Sequence, residues 1–220
     1  MTEVKFCGMT RLEDVREAVK LGAGFVGVIL TTSPRRVSPD QAKELLGARA
    51  GTSVRGVCVF GDEPLDDVVS VARATGCDVV QLHGTAGAPA VAERLRRELG
   101  VEVWRVVRVG PDGVAAAGWD GAADGDGLLL DTAARGALGG SGMTFDWSAV
   151  AGDLRARRGG RRLIVAGGLR PGNVRQAIDL LAPDVVDVSS GVESALGLKD
   201  HGQMAAFLAA VGQSIPAPRP

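Results

Sequence analysis

The chain has 220 residues, 25 Lys and Arg against 26 Asp and Glu, a net charge of −1 and a pI near 6.1. That balance offers no cationic footprint for nucleic acid. No apolar run approaches the roughly 20 residues needed to cross a bilayer, which predicts no membrane partner, and the opening MTEVKFCGMTR does not read as a secretory signal. The three cysteines, Cys7, Cys58 and Cys77, have no framework spacing and predict a reducing, cytoplasmic setting. Glycine is the anomaly, 32 residues with no collagen period beside no tyrosine at all, so the glycines ask for local reasons.

From the amino terminus, VKFCGM from Val4 reads as a buried strand. It is followed by a helix opened by Thr10 whose Leu12, Val15 and Val19 share a face. FVGVIL from Phe25 is a second strand, and Ser38-Pro39 opens the next helix, DQAKELL. VRGVCVF from Val54 leads to a helix carrying Leu65, Val68, Val69 and Ala72 on one side, and DVVQLH from Asp78 to one opened by Pro89 with Val91, Leu95 and Leu99. After the fifth strand, VWRVVRV from Val103, the stretch VAAAGWDGAADGDG breaks its helical pattern early. LLLDT from Leu128, LIVAGGL from Leu163 with a helix bearing Val174, Ile178 and Leu181, and VVDVSS from Val185 complete the series.

Continuous apolar strands alternating with helices predict a parallel sheet covered on both faces. Eight such units in this length predict a single (β/α)8 TIM barrel over residues 1–213, with the proline-bearing 214–220 as a disordered tail. An open doubly wound sheet is the competing fold, but Gly8-Met9-Thr10-Arg11 is not the dinucleotide fingerprint that such a sheet carries after its first strand.

In a barrel of this kind the site forms at the carboxyl ends of the strands. Those ends carry Cys7-Gly8, Thr31 to Arg36, Phe60-Gly61-Asp62, Gln81 to Gly84, Arg105 and Arg108, Asp131-Thr132, Gly167-Gly168 and Asp187 to Gly191, with Gly139, Gly140 and Gly142 in the loop after the sixth strand. The loops after strands seven and eight offer successive amides to a phosphate at Gly167, Gly168, Ser189, Ser190 and Gly191, with GVES as the first turn of a short extra helix. Cys7 and Asp131 suit two-way proton transfer, against the plainer readings of a buried apolar thiol and a loop-capping carboxylate. Cys58 and Cys77 read as structural, and two histidines, His83 and His201, give no metal spacing. His83 stands where a ligand is reached, His201 reads as the cap of a surface helix, and either Arg35 or Arg36 offers a fork to a substrate carboxylate.

VKFCGMTRLEDVREAVKLGAGFVGVI, SPRRVSPDQAKEL, VQLHG, LLLDT followed by GGSGMTFDW, and AGGLRPGNVRQAIDLLAPDVVDVSSGVES with GLKD cover nearly the whole chain. Together they resemble phosphoribosylanthranilate isomerase of tryptophan biosynthesis. The resemblance implies a cofactor-free Amadori rearrangement of a phosphoribosyl substrate by a monomer or homodimer, with no metal. It implies Cys7 as general base on C2′, Asp131 as general acid on the furanose oxygen, Arg35 on the anthranilate carboxylate, His83 and Asp187 around the aryl and sugar groups, and Gly168, Ser190 and Gly191 on the phosphate. Leu30-Thr31-Thr32-Ser33-Pro34-Arg35-Arg36 departs from the family, being one residue shorter and without its aromatics. That departure opens a second substrate, a modified aryl group in a specialised pathway. Two further classes compete: an aminoaldose isomerase of histidine biosynthesis, which carries an aspartate where Cys7 stands, and a non-catalytic phosphosugar-binding barrel, which would lack Cys7 or Asp131.

Overall fold

The structure, a computed structural model, describes residues 1–84, 90–110, 122–132 and 144–212. Eight parallel strands close into a barrel in sequence order: β1 Glu3–Phe6, β2 Phe25–Ile29, β3 Arg55–Phe60, β4 Val79–Leu82, β5 Glu102–Val109, β6 Gly127–Thr132, β7 Arg162–Val165 and β8 Val185–Val188. Every strand begins within one residue of its expected position. Around them lie α1 Leu12–Lys20, α2 Pro39–Gly47, α3 Leu65–Thr75, α4 Ala90–Leu99, α5 Trp147–Arg157, α6 Val174–Leu181 and α7 His201–Val211. The predicted tail, Pro89, Gly139, Gly140, Gly142 and most of the broken stretch after β5 lie outside the described residues.

Helix starts show where local signals held. Ser38 caps α2 with a full capping box, its hydroxyl accepting from Gln41 N while the Gln41 side chain accepts from Ser38 N. Thr10 does not open α1. The cap position is Arg11, and the Thr10 hydroxyl instead donates to Gly197 O at 2.6 Å. The extra helix expected after β8 is a single 3₁₀ turn, Ser190–Val192. It runs into a two-stranded hairpin, β9 Glu193–Ala195 with β10 Leu198–Lys199, because the chain turns at Gly197 instead of continuing the helix.

Strand alternation divides the apolar residues into two cores. Val4, Phe6, Val26, Val28, Val80, Leu128, Leu130 and Val186 face outward beneath the helices, while Phe25, Val57, Val79, Trp104, Leu129, Ile164 and Val185 fill the barrel. Trp104 packs edge-on to Phe25 at 5.0 Å, and Gly127 gives its indole room. Below them the amino-terminal end is closed by charge: Arg55 and Arg162 both pair with Glu102, at 2.8 and 3.0 Å, and Arg162 also meets Glu3 at 3.1 Å.

The same end carries a repeated clamp. Asp78, Asp126 and Asp184 each precede an even strand and accept a backbone amide from the odd strand before it, Gly56, Val103 and Leu163 at 2.7, 2.8 and 2.7 Å. Each also receives an arginine from the helix that precedes that odd strand or from just past its end: Arg49, Arg96 and Arg158. At the corresponding place before β2 stands Gly24, where a Cβ would press on the Glu3 side chain.

Candidate active site

Because strands alternate, Lys5 on β1 and Cys7 directly after it, Gln81 on β4, Asp131 on β6 and Asp187 on β8 all point into the barrel, toward its carboxyl end. With the loops they bound a cavity of about 750 Å³, counting its open mouth. Its lining contains all of Cys7, Arg35, His83, Asp131, Gly167, Gly168, Asp187, Ser189, Ser190 and Gly191. The size and the mix of apolar wall with convergent polar groups suit a small-molecule ligand.

Asp131 is 6 % exposed, and burial raises its carboxyl pKa to about 6, with Arg108, its register partner on β5, pulling the other way. A carboxyl poised there carries a proton that it can give up near neutrality. Burial also raises the Cys7 thiol, while the ammonium of Lys5 opposes the rise. Lys5 donates to Asp187 Oδ2 at 2.7 Å with both groups buried. The other oxygen, Asp187 Oδ1, is buried without a partner among the described residues. His83 Nε2 and Gln81 Nε2 lie 2.6 Å apart, and burial pulls the imidazole down to about 3, so the ring is neutral and accepts from the amide there. That leaves Nδ1–H as a buried donor, also unpartnered among the described residues.

Of the two arginines after β2, Arg35 is buried in the cavity wall and Arg36 is exposed. Arg35 is not a vacant fork: its Nε and Nη2 meet Glu193 Oε1 and Oε2, both at 2.7 Å. The bidentate face expected to receive a substrate carboxylate is thus held by the protein, leaving Nη1 outside that pair. Lys199 Nζ reaches Glu193 at 2.9 Å and donates to Ser189 O at 3.1 Å, tying the loop after β8 to the same carboxylate.

Gly167 and Gly168 adopt φ of +84° and +63°, left-handed conformations that glycine enters freely. Asn173 Nδ2 fixes the turn on Gly168 O at 3.0 Å. A Cβ at Gly191 would overlap the Leu169 carbonyl, so glycine lets the two loops approach. The amides of Gly168, Ser190 and Gly191 meet no acceptor among the described residues. Such a set of amides is able to receive an anion.

Several expectations are corrected. Arg105 faces outward and pairs with Asp124 at 2.9 Å, so of the β5 arginines only Arg108 acts on the site. His201 follows the true cap, Asp200, and holds Asp14 at 2.9 Å. Lys5, Glu193 and Lys199 were not singled out. For Lys5 the signal was present, a lysine two residues before Cys7 in an otherwise apolar strand and so on the same face. Glu193 and Lys199 are far from Arg35 in sequence, and only the hairpin brings them to it.

Residues 4–210 match the family model for N-(5′-phosphoribosyl)anthranilate (PRA) isomerase. The chain belongs to this isomerase family. A curated family member from Ralstonia pickettii is 37% identical, over 97% of this chain and 94% of its own. The crystal structure of the isomerase from Thermotoga maritima superposes with a TM-score of 0.83 at 34% identity, covering 97% of this chain and all of that one, 100%. Another isomerase structure, solved with reduced 1-(o-carboxyphenylamino)-1-deoxyribulose 5-phosphate, matches at TM-score 0.79 and 34% identity over 97% and 100% of the two chains. Among the described residues no group of three or more His, Cys, Asp or Glu is placed to hold a metal ion, and no helix is long and apolar enough to cross a membrane.

Proposed function

We propose that the chain catalyses the Amadori rearrangement of N-(5-phosphoribosyl)anthranilate to 1-(2-carboxyphenylamino)-1-deoxyribulose 5-phosphate in tryptophan biosynthesis. The carrying observation is that one cavity holds an inward carboxyl titrating near 6, Asp131, together with an inward thiol, Cys7, and a cradle of unengaged amides. The Asp131 carboxylic acid gives its proton to the furanose ring oxygen, the C1′–O bond breaks, and an iminium forms between C1′ and the aryl nitrogen. The Cys7 thiolate takes the C2′ proton and the C–H pair becomes the C1′–C2′ double bond of an enolamine. Protonation at C1′ and loss of the 2′-hydroxyl proton then give the ketone and balance the two transfers. The groups act by general acid–base catalysis, so no cofactor enters the reaction.

The phosphate sits on Gly167, Gly168, Ser189, Ser190 and Gly191, where amides and the turn after β8 replace cationic side chains. Asp187 Oδ1 and His83 Nδ1–H, both buried and unpartnered among the described residues, supply an acceptor and a donor to the ribose and the aryl amine. Arg35 presents Nη1 to the aryl carboxylate from a position that Glu193 fixes. The partner is therefore one small phosphoribosyl substrate, bound by a monomer or homodimer, and three free cysteines suit the cytoplasm.

The test is turnover of phosphoribosylanthranilate followed by loss of its anthranilate-type fluorescence. The intact chain turns the substrate over, and Cys7→Ser and Asp131→Asn each lose on the order of 10³-fold or more. Full activity in either variant overturns the acid–base assignment.

A further inference from the structure

Lys5 lies wholly buried inside the barrel, two residues before Cys7 on the same face of β1. Stability gives little reason for it. A buried ion pair costs the desolvation of both charges and is often replaced without loss by packed apolar side chains. Asp187 accepts one of the three donors of the ammonium, at 2.7 Å. The Cys7 thiol shares the space beside that ammonium, and the charges of the two groups act on one another. Gly27 on β2 keeps their shared space open: a Cβ there would stand 3.0 Å from Lys5 Cε, 3.3 Å from Lys5 Nζ and 3.1 Å from Cys7 Sγ.

We propose that Lys5 is a positioning residue for the reaction, its ammonium stabilising the Cys7 thiolate while Asp187 competes for the same charge. This deepens the reading of Cys7 as the general base and rests on it. The charged groups facing the sulfur come from four elements. Lys5 on β1 and Lys199 on β10 favour the thiolate, Asp187 on β8 opposes it, and Arg35 in the loop after β2 feels its charge. Asp131 and His83 interact with Lys5 across the cavity. Two anions thus draw on one ammonium. When the thiolate takes the C2′ proton the sulfur becomes neutral, and Lys5 is left to Asp187 alone.

The experiment follows the alkylation rate of Cys7 by iodoacetamide against pH, resolved by peptide mass spectrometry from Cys58 and Cys77. Lys5→Met is expected to raise the midpoint by about one pH unit or more, roughly a tenfold loss of thiolate at neutral pH. Asp187→Asn is expected to lower it. A purely structural role would not move the two midpoints in opposite directions. Because Asp131 loses its proton over the same range, the kcat of Lys5→Met lies below the parent's throughout the interval between the two titrations and approaches it only above the parent's thiol midpoint. An unmoved midpoint in Lys5→Met, or shifts of the same sign in both variants, overturns the proposal. If Lys5→Met does not fold, Asp187→Asn decides alone, and an unchanged or raised midpoint overturns it. Full turnover by Cys7→Ser would remove the base itself, a failure read from activity and separate from the midpoints.

Discussion

Arg35 and Glu193, 158 residues apart, meet through two parallel 2.7 Å bonds and join the loop after β2 to the hairpin after β8. Both are buried, and Lys199 leans on the same carboxylate from the other side. Removing Glu193 leaves two buried cations without their anion. Glu193→Ala is therefore expected to lose about 3 kcal/mol of stability, seen as a lower urea midpoint. In the fraction that remains folded, KM should rise more than kcat falls, because Arg35 loses its fixed aim. A variant as stable as the parent would show that the clamp is ornamental.

Asp131 carries a stability cost that its proposed role as the acid would require. Its carboxyl titrates at about 6 in the folded chain against 3.8 for the free group, so the native state holds the proton more tightly. That contribution is complete below pH 4 and is lost as pH rises through 6, amounting to about 3 kcal/mol of relative destabilisation by pH 7. Asp131→Asn keeps the shape without the charge. Its gain in unfolding midpoint over the parent should grow between pH 4 and pH 7, while activity collapses. An equal midpoint at pH 7.5 would contradict the buried-carboxyl reading.

The two titrations also shape the rate. In the proposed reaction the productive form needs Asp131 protonated and Cys7 ionised, yet the acid titrates near 6 and the thiol above its ordinary range. Between those values the loss of protonated acid is balanced by the gain of thiolate, so kcat/KM should be flat there. It should fall as pH drops below about 6, where the acid is already protonated and thiolate keeps disappearing. It should fall again above the thiol value, where only the acid is still being lost. Asp131→Asn should lose the flat region, its residual rate climbing with pH. A pH–rate profile of parent and variant checks both shapes.

Gly191 separates binding from chemistry. Its missing Cβ is what lets the turn after β8 approach Leu169, and the cradle amides lie on either side of that contact. Gly191→Ala should spread the loops and raise KM for the phosphorylated substrate at least tenfold, with inorganic phosphate inhibiting more weakly by a similar factor. Cys7 alkylation should be unaltered, since nothing at β1 moves.

Much of this was legible in the chain. Strand positions followed from apolar runs, since a strand covered on both faces has few polar interruptions, and strand ends then placed Cys7, Asp131, Asp187 and the glycine loops. Thr10 misled because the helix starts one residue later, at an Arg11 cap, and the Thr10 hydroxyl is turned to donate to Gly197 O in the hairpin turn. The turn after β8 looked like a helix because GVES fits a first turn; only the hairpin shows that it stops. Arg35 was legible as a cavity cation but not as a committed one, because Glu193 is a tertiary partner that no local pattern announces. Lys5 was passed over because a lysine in a strand is usually read as an edge residue facing water.

The aspartate clamps at the barrel floor have a consequence for symmetry. A quarter turn about the axis carries the clamp at β3 to that at β5, and another quarter turn carries it to β7, so three quadrants share one lock. The fourth, from β1 to β2, has Gly24 where the lock would be and Glu3 in its place. That unlocked quadrant is the one bearing Lys5 and Cys7 above. There the floor is held instead by Glu3 on Arg162, a tie to β7 across the barrel floor in place of a clamp between neighbouring strands.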